Sequence, residues 1–309
     1  MTQLAGKAIV VTGSGRGIGA ATARALADLG ARIVINDIDA QPAEETAAQI
    51  AASGGTAVAH AADITDWDAA AALIARCVSE FGGIDGLVNN AGLFSMGRLD
   101  ELQKGDLDKI LAVNIAGTVN CAAHAAKMMQ AQRSGSIVNV TSAAQMGIPA
   151  MGLYGATKGA VASLTYAWAM EMAEFGVRVN AVSPMAKTRM VTTTAAYHQS
   201  HDITDIPRAE TDPAKNAPVI AYLLSDAAKS VQGQVVRVDG DRLSLVSHPA
   251  VILPALHDSD GWTIVTVGRA FDDGLSGKFA PLGFTGVEIA GYGMPASMWT
   301  DVPVEGAGD

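Results

Sequence analysis

The chain has 309 residues, 49% of them hydrophobic, and a formal net charge of -10. Its length suits one enlarged α/β domain with a tail, and the apolar share is enough for a large core. The acidic balance argues against nucleic acid or an anionic membrane surface as a partner, because each attracts a basic patch; a small apolar molecule is the expected ligand. The opening MTQLAGKAIVV is too short an apolar run for a secretory leader, and no later stretch is long enough to span a bilayer, so a cytoplasmic location is expected. Cys77 and Cys121 lie in helical patterns without CxxC spacing or histidine company. They are expected to be inert thiols, and no metal site is expected.

In chain order, β-rich apolar runs alternate with Ala-rich helical patterns. The runs are AIVVT (8–12), RIVIN (32–36), TAVAH (56–60), GLVNN (86–90), SIVNVT (136–141), VRVNAV (177–182) and QVVRVD (234–239). Between them, segments such as AATARALADLG and AAALIARCVSEFG space apolar residues at three and four, the helical period. Strands that are apolar throughout and separated by helices predict a doubly wound α/β fold: a seven-stranded parallel sheet covered by helices on both faces. This domain is expected over residues 1–240. From 241 to 309 the composition turns to Pro, Gly and scattered apolar residues, which reads as an extension packing on its own or a neighbouring subunit, with one short helix near 263–275.

The first strand runs into Gly13-Ser14-Gly15-Arg16-Gly17-Ile18-Gly19 and then into a helix. Glycines there let backbone approach a pyrophosphate, and the N–H groups and dipole of the next helix favour the phosphates. The second strand ends in Asn36-Asp37, followed by Ile38. An acid about twenty residues past the glycines can bind the adenosine ribose hydroxyls and repels a 2′-phosphate, so NAD is the expected cofactor. Arg16 could still meet such a phosphate, and Asp37 could instead cap the following helix.

Downstream stand Asn89-Asn90-Ala91-Gly92 at the end of the fourth strand, Asn114 in LAVNIAG, Ser142 after the fifth strand, and Tyr154-Gly-Ala-Thr-Lys158. Residues four apart share one helix face, so Tyr154 and Lys158 can act on one ligand. A nearby ammonium stabilises phenolate and is expected to draw the Tyr154 pKa down, letting it exchange a proton near neutral pH.

With the glycine loop in front of them, these motifs resemble the short-chain dehydrogenase/reductase family, in family order, from the first strand to about residue 240. The resemblance implies a Rossmann fold and hydride transfer between NAD(H) and an alcohol or ketone. It makes Tyr154 the acid–base, Ser142 a donor to the substrate oxygen, Lys158 a partner of the nicotinamide ribose, and Asn114 the holder of a relay water. Asn90, Ala91 and Gly92 would approach the cofactor, while Asp63, with Ile64 beside it, matches an adenine-binding acid or serves as a turn residue. Pro184 and Thr188 fit a nicotinamide-binding segment in which Met185 replaces a glycine. Ser142 stands one residue closer to the tyrosine than is usual in the family, which leaves Thr141 as a second possible donor.

The region after the sixth strand resembles a subgroup acting on hydroxyacyl-CoA esters or hydroxysteroids. The expected substrate is accordingly a bulky secondary alcohol or ketone, a cyclic alcohol included. An apolar lining of Phe94, Met96, Met146, Met151, Met185, Met190 and Tyr197 is the candidate pocket, and the polar stretch 190–213 a candidate lid. Relatives imply a homo-oligomer, tetramer or dimer. Two other roles share these motifs: a catalytically silent NAD(H)-binding sensor or scaffold, and an epimerase or dehydratase working through transient oxidation.

Overall fold

β-Branched runs flanked by helices bury both faces of their strands, and the computed structural model shows the resulting sheet. It describes residues 3–186, 190–201 and 211–278. Strand order is β3-β2-β1-β4-β5-β6-β7-β8, formed by β1 (Ala8–Val11), β2 (Arg32–Asp37), β3 (Thr56–Ala61), β4 (Gly86–Asn89), β5 (Gly135–Val140), β6 (Val177–Ser183), β7 (Val235–Asp239) and β8 (Arg242–Val246). The first seven pair in parallel, each at a predicted run.

The eighth strand was not expected. It pairs antiparallel with β7, Asp239 opposite Arg242, across a two-residue turn of Gly240 (φ 66°) and Asp241. A Gly-containing two-residue link is a tight hairpin connection, so the chain folds back onto the sheet where the extension was expected to begin. The compact units accordingly divide as Met1–Val246 and Ser247–Asp309. In the second unit, helix Ile264–Ala270 is capped by Thr263, whose hydroxyl accepts from Thr266 N.

Two apolar layers sandwich the sheet. One joins Ile9, Val11, Ile33 and Ile35 to α1 (Gly17–Asp28), α2 (Ala40–Ala52) and α8 (Ala217–Leu224); the other joins Val10, Val34, Leu87 and Ile137 to α3 (Trp67–Phe81) and α5 (Thr118–Gln132). Each such fully buried aliphatic side chain contributes about 1.5–3 kcal/mol. Cys77 and Cys121 belong to the second layer, and burial pushes both thiols up to about 12, which makes them poor nucleophiles.

Strand order reverses direction between β1 and β4, and ligands of open α/β sheets bind at such a switch point, beyond the carboxyl ends of the strands. The candidate residues lie at those ends. Helix α6 (Gly152–Ala173) crosses beside β6 and brings Tyr154 and Lys158 to the same edge. Among the described residues no helix is long and apolar enough to cross a membrane.

Candidate active site

The glycine loop is shaped by contacts across the switch point. Gly13 has φ 60°, and a Cβ there would stand 2.7 Å from Ala91 Cα, so only glycine makes the turn and clears the segment after β4. Asn90 donates its amide to the carbonyls of Thr12 and Gly13, both at 2.9 Å, while Thr12 Oγ1 accepts from Asn90 N and Ala91 N. Asn90 thus braces the loop. Ser14 is fully buried, its hydroxyl donating to Val11 O at 2.6 Å and its N–H to Asn36 O at 2.7 Å. It ties β1 to β2 and has no free donor for a ligand.

Arg16 precedes α1 without a side-chain cap, which leaves the N–H groups of Gly17, Ile18 and Gly19 open at the positive end of the helix. Asp37 Oδ2 accepts from Gly15 N at 3.0 Å, and the residue that precedes α2 is Asp39, so Asp37 is not that helix's cap. Arg16 pairs with Asp39 at 3.0 Å, which occupies the cation nearest the ribose end. Ile38 is 68% exposed at the tip of β2, an apolar surface open to a flat ring. Asp63 is exposed and accepts from Thr65 N, a local turn. Ile64 is buried, and Asn120 holds its loop by donating to Ile64 O and Thr65 O.

Around Tyr154 the chain packs closely. A Cβ on Gly155 would collide with the carbonyl oxygen of Ala144, so its absence lets α6 lie against the 3-10 turn Ala143–Met146. Ser142 precedes that turn; its oxygen accepts from Ala144 N at 3.2 Å, and its hydroxyl lies near enough to the Tyr154 phenol to influence its titration. Thr141 faces the other way, 1% exposed and donating to Val182 O at 3.2 Å. Of the two hydroxyls, Ser142 is therefore the one beside the phenol.

Lys158 is 4% exposed and donates from Nζ to Val140 O at 2.8 Å; the same ammonium stands 5.8 Å from the centre of the Tyr154 ring. The expected lowering of the Tyr154 pKa is not what this arrangement produces. Burial pushes Tyr154 up from its ordinary value, opposed by the neighbouring Ser142 hydroxyl, and pushes Lys158 down to about 8. Both charged forms lose water in one pocket, and the ammonium is spent on a carbonyl instead of the phenol.

Asn114 lies in a π-helical turn, Ala112–Gly117, between α4 (Lys104–Leu111) and α5. Its Oδ1 accepts from Leu93 N at 2.7 Å, and its Nδ2 donates to Leu93 O at 3.0 Å and Thr157 Oγ1 at 2.9 Å. Thr157 donates in turn to Tyr154 O at 2.8 Å. These bonds fasten the loop after β4 to α6.

Gly92 completes the hollow: a Cβ there would lie 3.3 Å from Asn114 Oδ1 and 3.4 Å from Lys158 Nζ. An uncapped helix start, an acid at the end of β2 and a side-chain-free wall beside Lys158 fit the diphosphate, ribose and nicotinamide ends of a dinucleotide in that order.

The substrate side is apolar. Phe94 meets Tyr154 edge-on, ring centres 5.0 Å apart, and Met151, Ile148 and Leu153 pack with them. The stretch from 190, expected as an irregular lid, begins as helix α7 (Met190–Ser200). Tyr197 on that helix donates from its hydroxyl to Glu101 at 2.9 Å. Pro184 and Met185 form the turn after β6, whereas Thr188 lies outside the described residues.

Thr12, Asn120 and Thr157 carried no sequence signal of their own. Each acts through long-range bonds to backbone or to another side chain.

The family model described as enoyl-(acyl carrier protein) reductase matches residues 13–240. Among curated proteins, cis-4-hydroxycyclohexanecarboxylate dehydrogenase of Sinomonas cyclohexanicum is 40% identical over 235 residues, covering 75% of this chain and 94% of that protein. The 3-oxoacyl-(acyl-carrier-protein) reductase FabG of Staphylococcus aureus is 36% identical over 76% of this chain and 97% of its own length. A solved short chain dehydrogenase from Mycobacterium avium superposes with a TM-score of 0.79 at 34% identity, covering 91% of this chain and 98% of that one. With its sheet order and these matches together, the chain belongs to the short-chain dehydrogenase/reductase family and is an oxidoreductase of alcohol- and ketone-type substrates.

Proposed function

We propose that the protein is an NAD(H)-dependent oxidoreductase that interconverts a bulky secondary alcohol and its ketone, with Tyr154, Ser142, Lys158 and Asn114 as its working residues. The observation that carries this reading is the placement of the Ser142 hydroxyl beside the buried Tyr154 phenol, with the buried Lys158 ammonium 5.8 Å from the ring centre. A bound nicotinamide supplies the hydride acceptor or donor. On oxidation the Tyr154 oxygen takes the alcohol's hydroxyl proton, and on reduction it returns a proton to the carbonyl oxygen. Ser142 donates to that same oxygen and stabilises the negative charge developing on it. Lys158, whose ammonium donates to Val140 O, would hold the nicotinamide ribose, and Asn114 keeps the Leu93 segment in place against α6.

NAD is favoured over NADP by Asp37, whose carboxylate sits at the ribose end, and by the pairing of Arg16 with Asp39. Gly13, Gly15 and the open amides of residues 17–19 would hold the diphosphate, Ile38, Asp63 and Ile64 the adenine side, and Ala91, Gly92, Pro184 and Thr188 the nicotinamide half. Cyclic alcohols come first among the substrate classes, ahead of hydroxysteroids and 3-hydroxyacyl-CoA esters. Phe94, set edge-on to Tyr154, lines the site with apolar surface, and a relative is named for a hydroxycyclohexane acid.

The test is to incubate the purified protein with NAD or NADP and a panel of these alcohols. NADH formation with a cyclic alcohol is the expected result. Tight NADH binding with no turnover of any alcohol would favour the sensor role. Loss of substrate without NADH would favour epimerisation or dehydration.

A further inference from the structure

The carboxyl end of β6 opens into the turn at 183–185, one strand from the proposed acid–base pair. Val182 stands in register with Val140, Thr141 N donates to Val182 O, and Val140 O receives the Lys158 ammonium. That turn is held from three directions. Arg237 Nη1 donates to Ser183 O and Pro184 O, both at 3.3 Å, and reaches Ser183 Oγ at 3.5 Å. Met185 N donates to Val238 O at 3.0 Å. Asn216, fully buried, donates to Met185 O at 3.1 Å.

Arg237 is the unusual member. It is 3% exposed in a strand whose neighbours Val235, Val236 and Val238 are core residues. By the two-residue period of a strand it shares the face of Val235, which packs on Ala162 of α6, the helix of Tyr154 and Lys158. Burying a guanidinium is expensive unless partners satisfy it, and an aliphatic residue would fill this layer at less cost. Its Nη2 pairs with Asp239 at 3.1 Å, so one planar group addresses a carboxylate on one side and two carbonyls on the other. A lysine, with a single charged nitrogen, cannot bridge that set.

We propose that Arg237 is a positioning residue for the reaction: it fixes the Ser183 and Pro184 carbonyls so that the turn meets the nicotinamide end of the cofactor at a set distance from Ser142 and Tyr154, with Asn216 holding the far side. This rests on the NAD(H) reading above. A turn displaced by an ångström lowers the rate of hydride transfer while the distant glycine loop stays intact.

The test compares Arg237→Lys with wild type in four measurements: affinity for NADH, affinity for ADP as a probe of the adenosine diphosphate end, kcat and KM, and deuteride transfer from NADH labelled on either face of C4. ADP affinity should stay within about twofold, NADH affinity should weaken about fivefold, kcat should fall about tenfold or more, and facial fidelity should drop. Unchanged kcat and NADH affinity would overturn the proposal, as would equal weakening of ADP and NADH, which would mean general loosening. Should that variant not fold, Asn216→Ala touches the same turn from the other side and should show the same split in smaller measure; wild-type kcat there overturns the proposal. A wild-type protein that binds ADP but neither NADH nor NAD would instead defeat the cofactor reading.

Discussion

Ser142 and Tyr154 meet across the junction of the 3-10 turn and α6, where the serine hydroxyl counters the upward push of burial on the phenol. That hydroxyl is the one influence working against burial at Tyr154. Its placement also separates two neighbouring hydroxyls by function, since Thr141 is committed to Val182 O.

Ser142→Ala is expected to lower kcat by about a hundredfold, the scale for losing one donor to a developing oxyanion, and to move the tyrosine's titration further upward. Thr141→Ala should leave kcat near wild type and cost about 1 kcal/mol of stability, the worth of one buried hydrogen bond. Steady-state kinetics and urea unfolding of the two variants check both; a reversed pattern would reassign the donor.

Tyr154→Phe should leave NADH affinity nearly unchanged while turnover falls about a hundredfold or more. The ring keeps its edge-on contact with Phe94, so the fold should persist. Fluorescence titration with NADH beside turnover measurements tests this, and near-normal turnover would remove Tyr154 from the mechanism.

Lys158 carries a pH signature in stability. Its folded pKa of about 8 lies below the usual 10.5, so between those values the unfolded chain binds more protons than the folded one, and stability attributable to this group rises with pH. Below pH 8 the buried charge costs about 3 kcal/mol, at about 1.4 kcal/mol for each pKa step, and that cost fades as pH rises toward 10.5. Measured against Lys158→Met, wild type should therefore gain stability from pH 8 to 10.5. Parallel stability curves for the two proteins over that window would contradict it.

Asp37→Ala should narrow the preference for NAD over NADP, because it removes the charge facing the 2′ position. It should also weaken NAD itself, because Gly15 N loses its partner and the loop loosens. The ratio of kcat/KM with the two cofactors checks the first effect and isothermal titration the second. An unchanged ratio would point to the Arg16–Asp39 pair as the discriminator.

Six of the seven parallel strands were legible because both of their faces are buried, which writes an apolar run into the sequence; β3, at the sheet edge and only partly buried, was legible from its place between two helical segments. The eighth lacks that signature: Leu243 and Leu245 are 64% and 65% exposed at the sheet edge, and only the Gly240-Asp241 link announced a hairpin. In the site, the Tyr154–Lys158 spacing and the glycine loop could be read locally, since helix period and turn chemistry are local. The choice between Ser142 and Thr141 could not, because it depends on which hydroxyl β6 claims. Arg237 looked like an ordinary charge in a strand, and its carbonyl partners lie more than fifty residues away.

The π-helical turn at Ala112–Gly117 gives the segment one residue more than an α-helix would spend there. Each helical residue turns the chain by about 100°, so the turn sets the phase between α4 and α5. Asn114 faces Leu93 and Thr157 while Asn120, six positions on, still reaches the loop after β3. Deleting a single residue in this turn would restore ordinary winding and rotate one of these two asparagines out of register with its target. The helix thus works as a fixed angular spacer between the loop after β3 and the Leu93 and Thr157 contacts beside Tyr154.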